Sequence, residues 1–296
     1  MFTVYLADEE IGKVARAGRG IRFTYSEHAI DNAKMPALSL SLPKRAASYS
    51  NRFAGAFFRN LLPEQSYRRL VAGATDADPG DSLGLLGAIG GECAGAVSIW
   101  PAGQPPPSTH EYSSLSTAQL ESLFTSRGSG GLGTAIVRGR LSLPGVQEKI
   151  ALLRDEAGGW KLPKHGAVTS HILKQATMEF PDLLANELFC MSLARASELD
   201  TSPVGVAAPG LSVLSVERFD RVGAKETASA PLQNVHQEDF CQALGIPPER
   251  KYERDGGPGL AQCIRLIREN SSLPARDIPG FVRQVGFNYL IGNEDA

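Results

Sequence analysis

Six short segments hold residue types able to do chemistry. Ser142-Leu143-Pro144-Gly145-Val146-Gln147-Glu148-Lys149 places a hydroxyl at the head of a small-residue turn. Such turns let backbone N–H groups point at an anion, as phosphate-binding loops do; read alone, the segment is an ordinary hairpin turn. Gly128-Ser129-Gly130-Gly131-Leu132-Gly133 fits G-x-G-x-x-G by letter. A dinucleotide fingerprint needs a strand before it and a helix after it, whereas here a helix pattern precedes and a strand-like run follows, which favours a flexible loop. Lys174 ends the apolar run His171-Ile172-Leu173. A strand lysine steadied by a helix glutamate pairs with nucleotide phosphates in kinase-like lobes, and Glu187 is the candidate partner; an exposed lysine at a strand end explains the same letters. Val216-Glu217-Arg218-Phe219-Asp220 closes a strand and would serve as a hinge whose backbone meets adenine, or as a plain edge strand running into a polar turn. Residues 251–259 are a dense turn cluster. Asp295 follows an apolar helical pattern, where a carboxylate beside a frayed end ordinarily carries no meaning.

These residues need elements to place them. Residues 2–6 and 21–25 nearly alternate, and Leu38-Ser39-Leu40-Ser41-Leu42 alternates strictly before Pro43, so three strands are predicted. Phe53, Phe57, Phe58 and Leu61 fall at helical spacing until Pro63 stops the run. Residues 82–100 imitate a membrane span, with Glu92 their only charge. A central carboxylate opposes insertion by roughly 2.5–3.5 kcal/mol, and the five glycines weaken a helix, so turns and short buried strands are expected. Four prolines between 101 and 110 mark an extended connection. Ser116-Thr117-Ala118-Gln119 is a capping box that opens a helix ending by Gly128. Strands are predicted at 135–143, 148–153, 160–163, 170–174 and 213–218, with a helix over 182–199 that Asp182 would cap. Helical patterns follow at 238–244, 260–267 and 278–290. The order predicts an α+β chain: a β-rich subdomain over 1–104, a mixed lobe over 111–236 and the beginning of a helical lobe over 237–296.

Composition bounds the function. The 296 residues carry 30 Lys+Arg against 32 Asp+Glu, a net charge of -2, and are 42% hydrophobic. Disorder, collagen and coiled coil are excluded, and the length supports a core without disulfide or zinc. Near-neutrality removes a diffuse nucleic-acid or acidic-membrane field as the main source of affinity. Cys93, Cys190, Cys241 and Cys263 form no C-x-x-C pair, which reads as free thiols in a reducing compartment. The five histidines make no H-E-x-x-H, so no transition-metal site is expected, while a hard cation on carboxylates stays open. The apolar start is followed by Asp8, Glu9 and Glu10 rather than by a signal-peptide pattern; a cytoplasmic location with no membrane partner is expected.

In this order, the segments resemble the HipA family of bacterial toxin kinases. The resemblance rests on residues 38–43, Asn60-Leu61-Leu62-Pro63, and residues 89–97, 142–152, 170–174, 216–221, 251–259 and 290–295, nearly end to end. Gly145-x-Gln147-Glu148-Lys149 together with Asp255-Gly256-Gly257-Pro258-Gly259 is its most specific part. The resemblance implies a two-lobed, phosphoinositide-kinase-like fold behind an extra β-rich subdomain, and an ATP-dependent serine/threonine kinase of a type II toxin-antitoxin module. Ser142 matches the family's autophosphorylated serine. Leu143, Pro144, Gly145, Val146, Gln147 and Glu148 match the loop that binds ATP phosphates when tucked in and is expelled when phosphorylated. Lys174 matches the ATP lysine; Glu217, Arg218, Phe219 and Asp220 match the adenine and ribose hinge; Asp295 matches the aspartate that takes the substrate hydroxyl proton. ATP and Mg2+ are the implied cofactors. The implied partners are a small HipB-like helix-turn-helix antitoxin, operator DNA reached through it, and a protein target such as glutamyl-tRNA synthetase. A phosphate on Ser142 would add about -1.5 to -2 charges where the loop must receive ATP's anionic tail.

One departure stands against this pattern. The family's His-x-Lys-Asn after the aspartate, and its later magnesium-binding aspartate, have no counterpart before Ala296. Phosphoryl transfer relies on metal ions that bridge the phosphates, so no metal ligand and little or no kinase activity is expected of this polypeptide. The alternative is a non-catalytic remnant or fragment that binds an antitoxin. A small-molecule kinase such as an aminoglycoside phosphotransferase shares the lobe order but is disfavoured by the Ser142 loop and the Asp255 cluster. A face carrying Phe281, Val285 and Leu290 would lack cover.

Overall fold

The computed structural model describes residues 1–75, 77–126, 131–176, 181–223 and 232–293. Strands β1 (Phe2–Leu6), β2 (Glu9–Ala17) and β3 (Gly20–Tyr25) form an antiparallel meander. Val4, Ile11, Val14, Ile21 and Phe23 face inward and are buried, the period-two pattern of a sheet with one dry face. Helix α1 (Glu27–Asp31) follows, its Ser26 Oγ accepting from Ala29 N at 3.1 Å. Helices α2 (Ala54–Arg59), α3 (Gln65–Gly73) and α4 (Ser82–Ile89) come next, then β4 (Glu92–Cys93) and β5 (Val97–Pro101). Strand β5 pairs antiparallel with β1 and completes a sheet of order β3-β2-β1-β5.

A second sheet is built from β6 (Glu111–Leu115), β8 (Lys149–Arg154), β9 (Trp160–Lys164), β10 (His171–Gln175), β11 (Val204–Val206) and β12 (Val213–Glu217), in the order β11-β12-β10-β8-β9-β6. Helices α5 (Thr117–Thr125) and α6 (Leu132–Gly139) and strand β7 (Leu141–Ser142) lie between β6 and β8, and α7 (Leu183–Ala196) follows β10. Strand β7 pairs in parallel with β4 of the first unit. The pair β13 (Arg221–Val222) and β14 (Gln233–Asn234) leads into α8 (Phe240–Leu244), α9 (Leu260–Asn270) and α10 (Pro274–Leu290). One hydrophobic core runs from Val4 through Phe57 and Ile99 to Leu152 and Val213, beneath both sheets. No helix among the described residues is long and apolar enough to cross a membrane.

Several sequence expectations are corrected here. Residues 38–42 form a tight turn rather than a strand: Ser39 bridges Leu42, Leu38 and Leu42 are both buried, and the hydroxyls of Ser39 and Ser41 donate to the Gln242 carbonyl. The first half of the glycine-rich run is helix α4, capped by Asp81, whose Oδ1 accepts from Gly84 N at 3.0 Å. Tertiary packing overrides propensity there, since a Cβ on Gly87 would lie 2.3 Å from the ring of Phe2. The run expected as a strand over 135–143 is mostly helix α6, whose buried Leu132, Ala135, Ile136 and Gly139 follow a period of 3.6 rather than two. It ends at Arg140 in the left-handed region at φ 54°, which turns the chain into β7. Asp182 sits at the N-cap position of α7 but makes no side-chain cap. Phe281 is half-buried against Phe240 at 5.2 Å rather than uncovered, while Leu290 is exposed.

Candidate functional site

Ser142 is fully buried at the end of β7. Its Oγ donates to the Leu61 carbonyl at 2.7 Å, so the hydroxyl is seated on the N-terminal unit. The turn that follows is seated there too: Gly145 bridges Pro63, and Glu64 N donates to the Gly145 carbonyl at 3.0 Å. Gly145 has φ +104°, a region that L side chains rarely adopt, and an added Cβ would lie 2.7 Å from Lys149 Nζ. Leu143 is buried, Pro144 and Glu148 are half-buried, Val146 is exposed, and Gln147 Nε2 donates to the Gln175 carbonyl at 3.3 Å. The Asn60-Leu61-Leu62-Pro63 motif thus supplies the seat of the loop.

Lysines converge beside it. In the antiparallel pairing of β8 with β10, Lys149 stands directly opposite Lys174. Like charges at opposed positions share a face and destabilise a sheet, so each needs a partner. Lys174 Nζ pairs with Glu187 Oε1 on α7 at 2.5 Å, and Lys149 Nζ donates to the Pro144 carbonyl at 2.8 Å. Burial first, and then the positive charge of Lys174, pushes the Lys149 ammonium down to about 8, against the raising influence of Glu187 and Glu64. From the turn cluster, Lys251 Nζ lies 3.2 Å from Glu64 Oε2. The same cluster holds its own tight shape: a Cβ on Gly257 would meet the Lys251 carbonyl at 2.4 Å.

The hinge residues after β12 separate into two environments. Phe219 is 72% exposed, whereas Arg218 and Asp220 on either side are buried. Arg218 donates to Glu92 and Asp220, and Asp220 Oδ2 accepts from Gly95 N at 2.7 Å. Both side chains are engaged in this buried group, while Glu217 is half-buried, its backbone N bonded to the Pro203 carbonyl at 2.9 Å. Phe219 and Pro144 share the wall of a cavity of about 540 Å³ that Leu61, Ala94, Gln237 and Leu266 also line. Lys174 does not line it and stands on the sheet, opposite Lys149. Asp295 lies outside the described residues, as do the first three residues of the G-x-G-x-x-G stretch; Gly131 is the N-cap position of α6, so the run after the glycines is helical.

A seated serine loop, a strand lysine paired with a helix glutamate and a hinge with one outward aromatic coexist in a single chain. The family model for the HipA-like C-terminal domain matches residues 141–296, and that for the HipA N-terminal domain matches residues 2–100. The chain belongs to the HipA family. Among HipA relatives it is 40% identical over 282 residues to the putative kinase Y4mE of Sinorhizobium fredii, covering 93% of this chain and 66% of that protein. It is 29% identical over 276 residues to the serine/threonine-protein kinase toxin HipA of Shewanella oneidensis, covering 88% of this chain and 61% of that one. Less than two thirds of the length of these relatives is therefore spanned. The solved complex of Shewanella oneidensis HipA, HipB and operator DNA contains a chain that superposes over 100% of this chain and 70% of its own, with a TM-score of 0.80 at 24% identity. The fold is thus the α+β, kinase-like HipA fold with its β-rich N-terminal region.

Sequence reasoning missed the roles of Glu92 and of the Leu61 carbonyl, and named Lys149 within its motif without giving it a role. For Glu92 the signal is a lone carboxylate in an apolar run, which also opposes a membrane span. The Leu61 contact is made by backbone, which no residue letter reveals. No group of three His, Cys, Asp or Glu donors gathers among the described residues, and no step is routed through Mg2+.

Proposed function

We propose that this chain carries the ATP-holding part of a serine/threonine kinase toxin of a type II toxin-antitoxin module. The observation that supports it best is the Lys174–Glu187 pair facing Lys149 beside the seated Ser142 loop. Two opposed cations with a loop of turned backbone amides form a place for a polyphosphate. Lys174, held by Glu187, would orient the phosphates; loop amides from Gly145 to Glu148 would bind their oxygens; the hinge would take the base through its backbone and Phe219. In such a kinase a serine hydroxyl attacks the terminal phosphorus, its bond to the bridging oxygen breaks, ADP leaves, and Asp295 takes the hydroxyl proton. Ser142 is the residue proposed for autophosphorylation, which requires its release from Leu61. A HipB-like helix-turn-helix antitoxin, operator DNA bound through it and a protein target such as glutamyl-tRNA synthetase complete the proposal; the structural neighbour is itself a complex with HipB and operator DNA.

Titration calorimetry of the chain with ATP tests the binding step. Lys174→Met should weaken ATP at least tenfold without shifting the melting temperature by more than a few degrees. Absence of ATP binding, or equal binding by the variant, would overturn the reading. Incubation with labelled ATP then reports whether phosphate reaches Ser142.

A further inference from the structure

Glu92 is the only charge in residues 82–100, and its side chain is 2% exposed. A buried carboxylate persists only with full pairing. Arg218 Nη1 donates to both of its oxygens, at 2.8 and 2.9 Å, Arg221 Nη2 donates to Oε1 at 2.6 Å, and Thr169 Oγ1 donates at 3.0 Å. Burial pushes the Glu92 carboxyl up, yet Arg218 and then Arg221 hold it below the usual carboxylate range. Asp220 closes the group, 2.9 Å from Arg218 Nη2 and 3.0 Å from Arg221 Nη1, so two cations and two anions balance.

The backbone of the same short strand reaches elsewhere. Glu92 and Cys93 form β4, paired with Leu141 and Ser142 of β7, and Glu92 N donates to the Arg140 carbonyl at 2.9 Å. The carbonyls of Cys93 and Gly95 accept from Arg218 and Arg221. Gly95 has φ +72°, and an added Cβ would stand 2.8 Å from Gln237 N. These two residues therefore hold the Ser142 strand through their backbone, and the hinge arginines through the Glu92 carboxylate and the Cys93 carbonyl.

We infer that Glu92 is a positioning residue for the nucleotide site: it fixes the hinge at residues 217–220 in register with the Ser142 strand, so that the base end and the phosphate end are aligned on one ligand. It touches no ligand itself, and the inference rests on the ATP-holding function proposed above. A role in alignment has a signature that a role in stability alone lacks. ATP must span both ends, whereas inorganic tripolyphosphate needs only the loop and Lys174.

The test is calorimetric titration of the unaltered chain and of Glu92→Gln with ATP and, separately, with tripolyphosphate, each with a melting curve. ATP affinity should fall at least tenfold, while tripolyphosphate affinity changes less than twofold. Should Glu92→Gln not fold, the charge-balanced pair Glu92→Gln with Arg221→Gln replaces it, with the same expectation. Unchanged ATP affinity, or equal loss for both ligands, overturns the inference and leaves the nucleotide reading standing. Failure of the unaltered chain to bind either ligand overturns both.

Discussion

Replacing Ser142 by aspartate should release the loop from its seat, and the size of the effect can be worked from its bonds. Serine donates to the Leu61 carbonyl at 2.7 Å; an ionised aspartate only accepts, so two acceptors would face each other in a fully buried place. Keeping that carboxylate buried would cost several kcal/mol, roughly the effective penalty per unpaired ion. If the turn after Ser142 lifts while β7 stays paired with β4, the hydrogen bonds given up are Ser142 Oγ to Leu61, already lost, and Glu64 N to Gly145, each worth about 1 kcal/mol net. The Glu64 amide is the reporter, because its acceptor leaves with the loop. Losing both bonds, about 2 kcal/mol, corresponds to roughly 30-fold faster hydrogen exchange at Glu64. Ser142→Ala loses only the first, about 1 kcal/mol or roughly fivefold. Exchange at Glu64 that is no faster in Ser142→Asp than in Ser142→Ala would refute the reasoning.

Two further outcomes can be measured. Lys149 is only 9% exposed and its ammonium is pushed from 10.5 down to about 8. A folded pKa below the unfolded one means that the burial penalty is complete below about pH 8 and is relieved as pH rises toward 10.5. The stability of the chain relative to Lys149→Met should therefore increase by about 2 kcal/mol between pH 7.5 and 9.5 in urea unfolding, and a flat or falling difference would contradict the burial of its charge. Burial pushes the Cys93 thiol up to about 12 and Cys241 up to about 11; because thiolate is the nucleophile, iodoacetamide at pH 8 should label half-exposed Cys190 first in the folded chain, and equal labelling of Cys93 by mass spectrometry would be the contrary result.

What could be read beforehand depended on whether a feature lives in local letters. Lys174 and Glu187 were legible because a strand end and a helix face both follow from periodicity, and the capping box at Ser116 and Gln119 forms as its letters require. The pattern over 135–143 predicts a strand where helix 132–139 forms, since glycines and β-branched Thr134, Ile136 and Val137 lower helix preference locally. Packing against the rest of the core decided otherwise. Leu38 and Leu42 alternate as strand residues do, yet the hydroxyls between them reach the carbonyl of Gln242, some two hundred positions later. The seat under Ser142 and the ion group around Glu92 are long-range in the same way, made by a carbonyl and by residues more than a hundred positions apart.

The alternation of the hinge has a consequence for the entropy of binding. Arg218 and Asp220 are each immobilised by several bonds, so the main chain that carries Phe219 between them has little freedom left to lose. An aromatic ring with only two side-chain torsions, presented from a backbone already held still, demands little further ordering when a flat ligand arrives. Most of the cost of organising that wall of the site is therefore met when the chain folds.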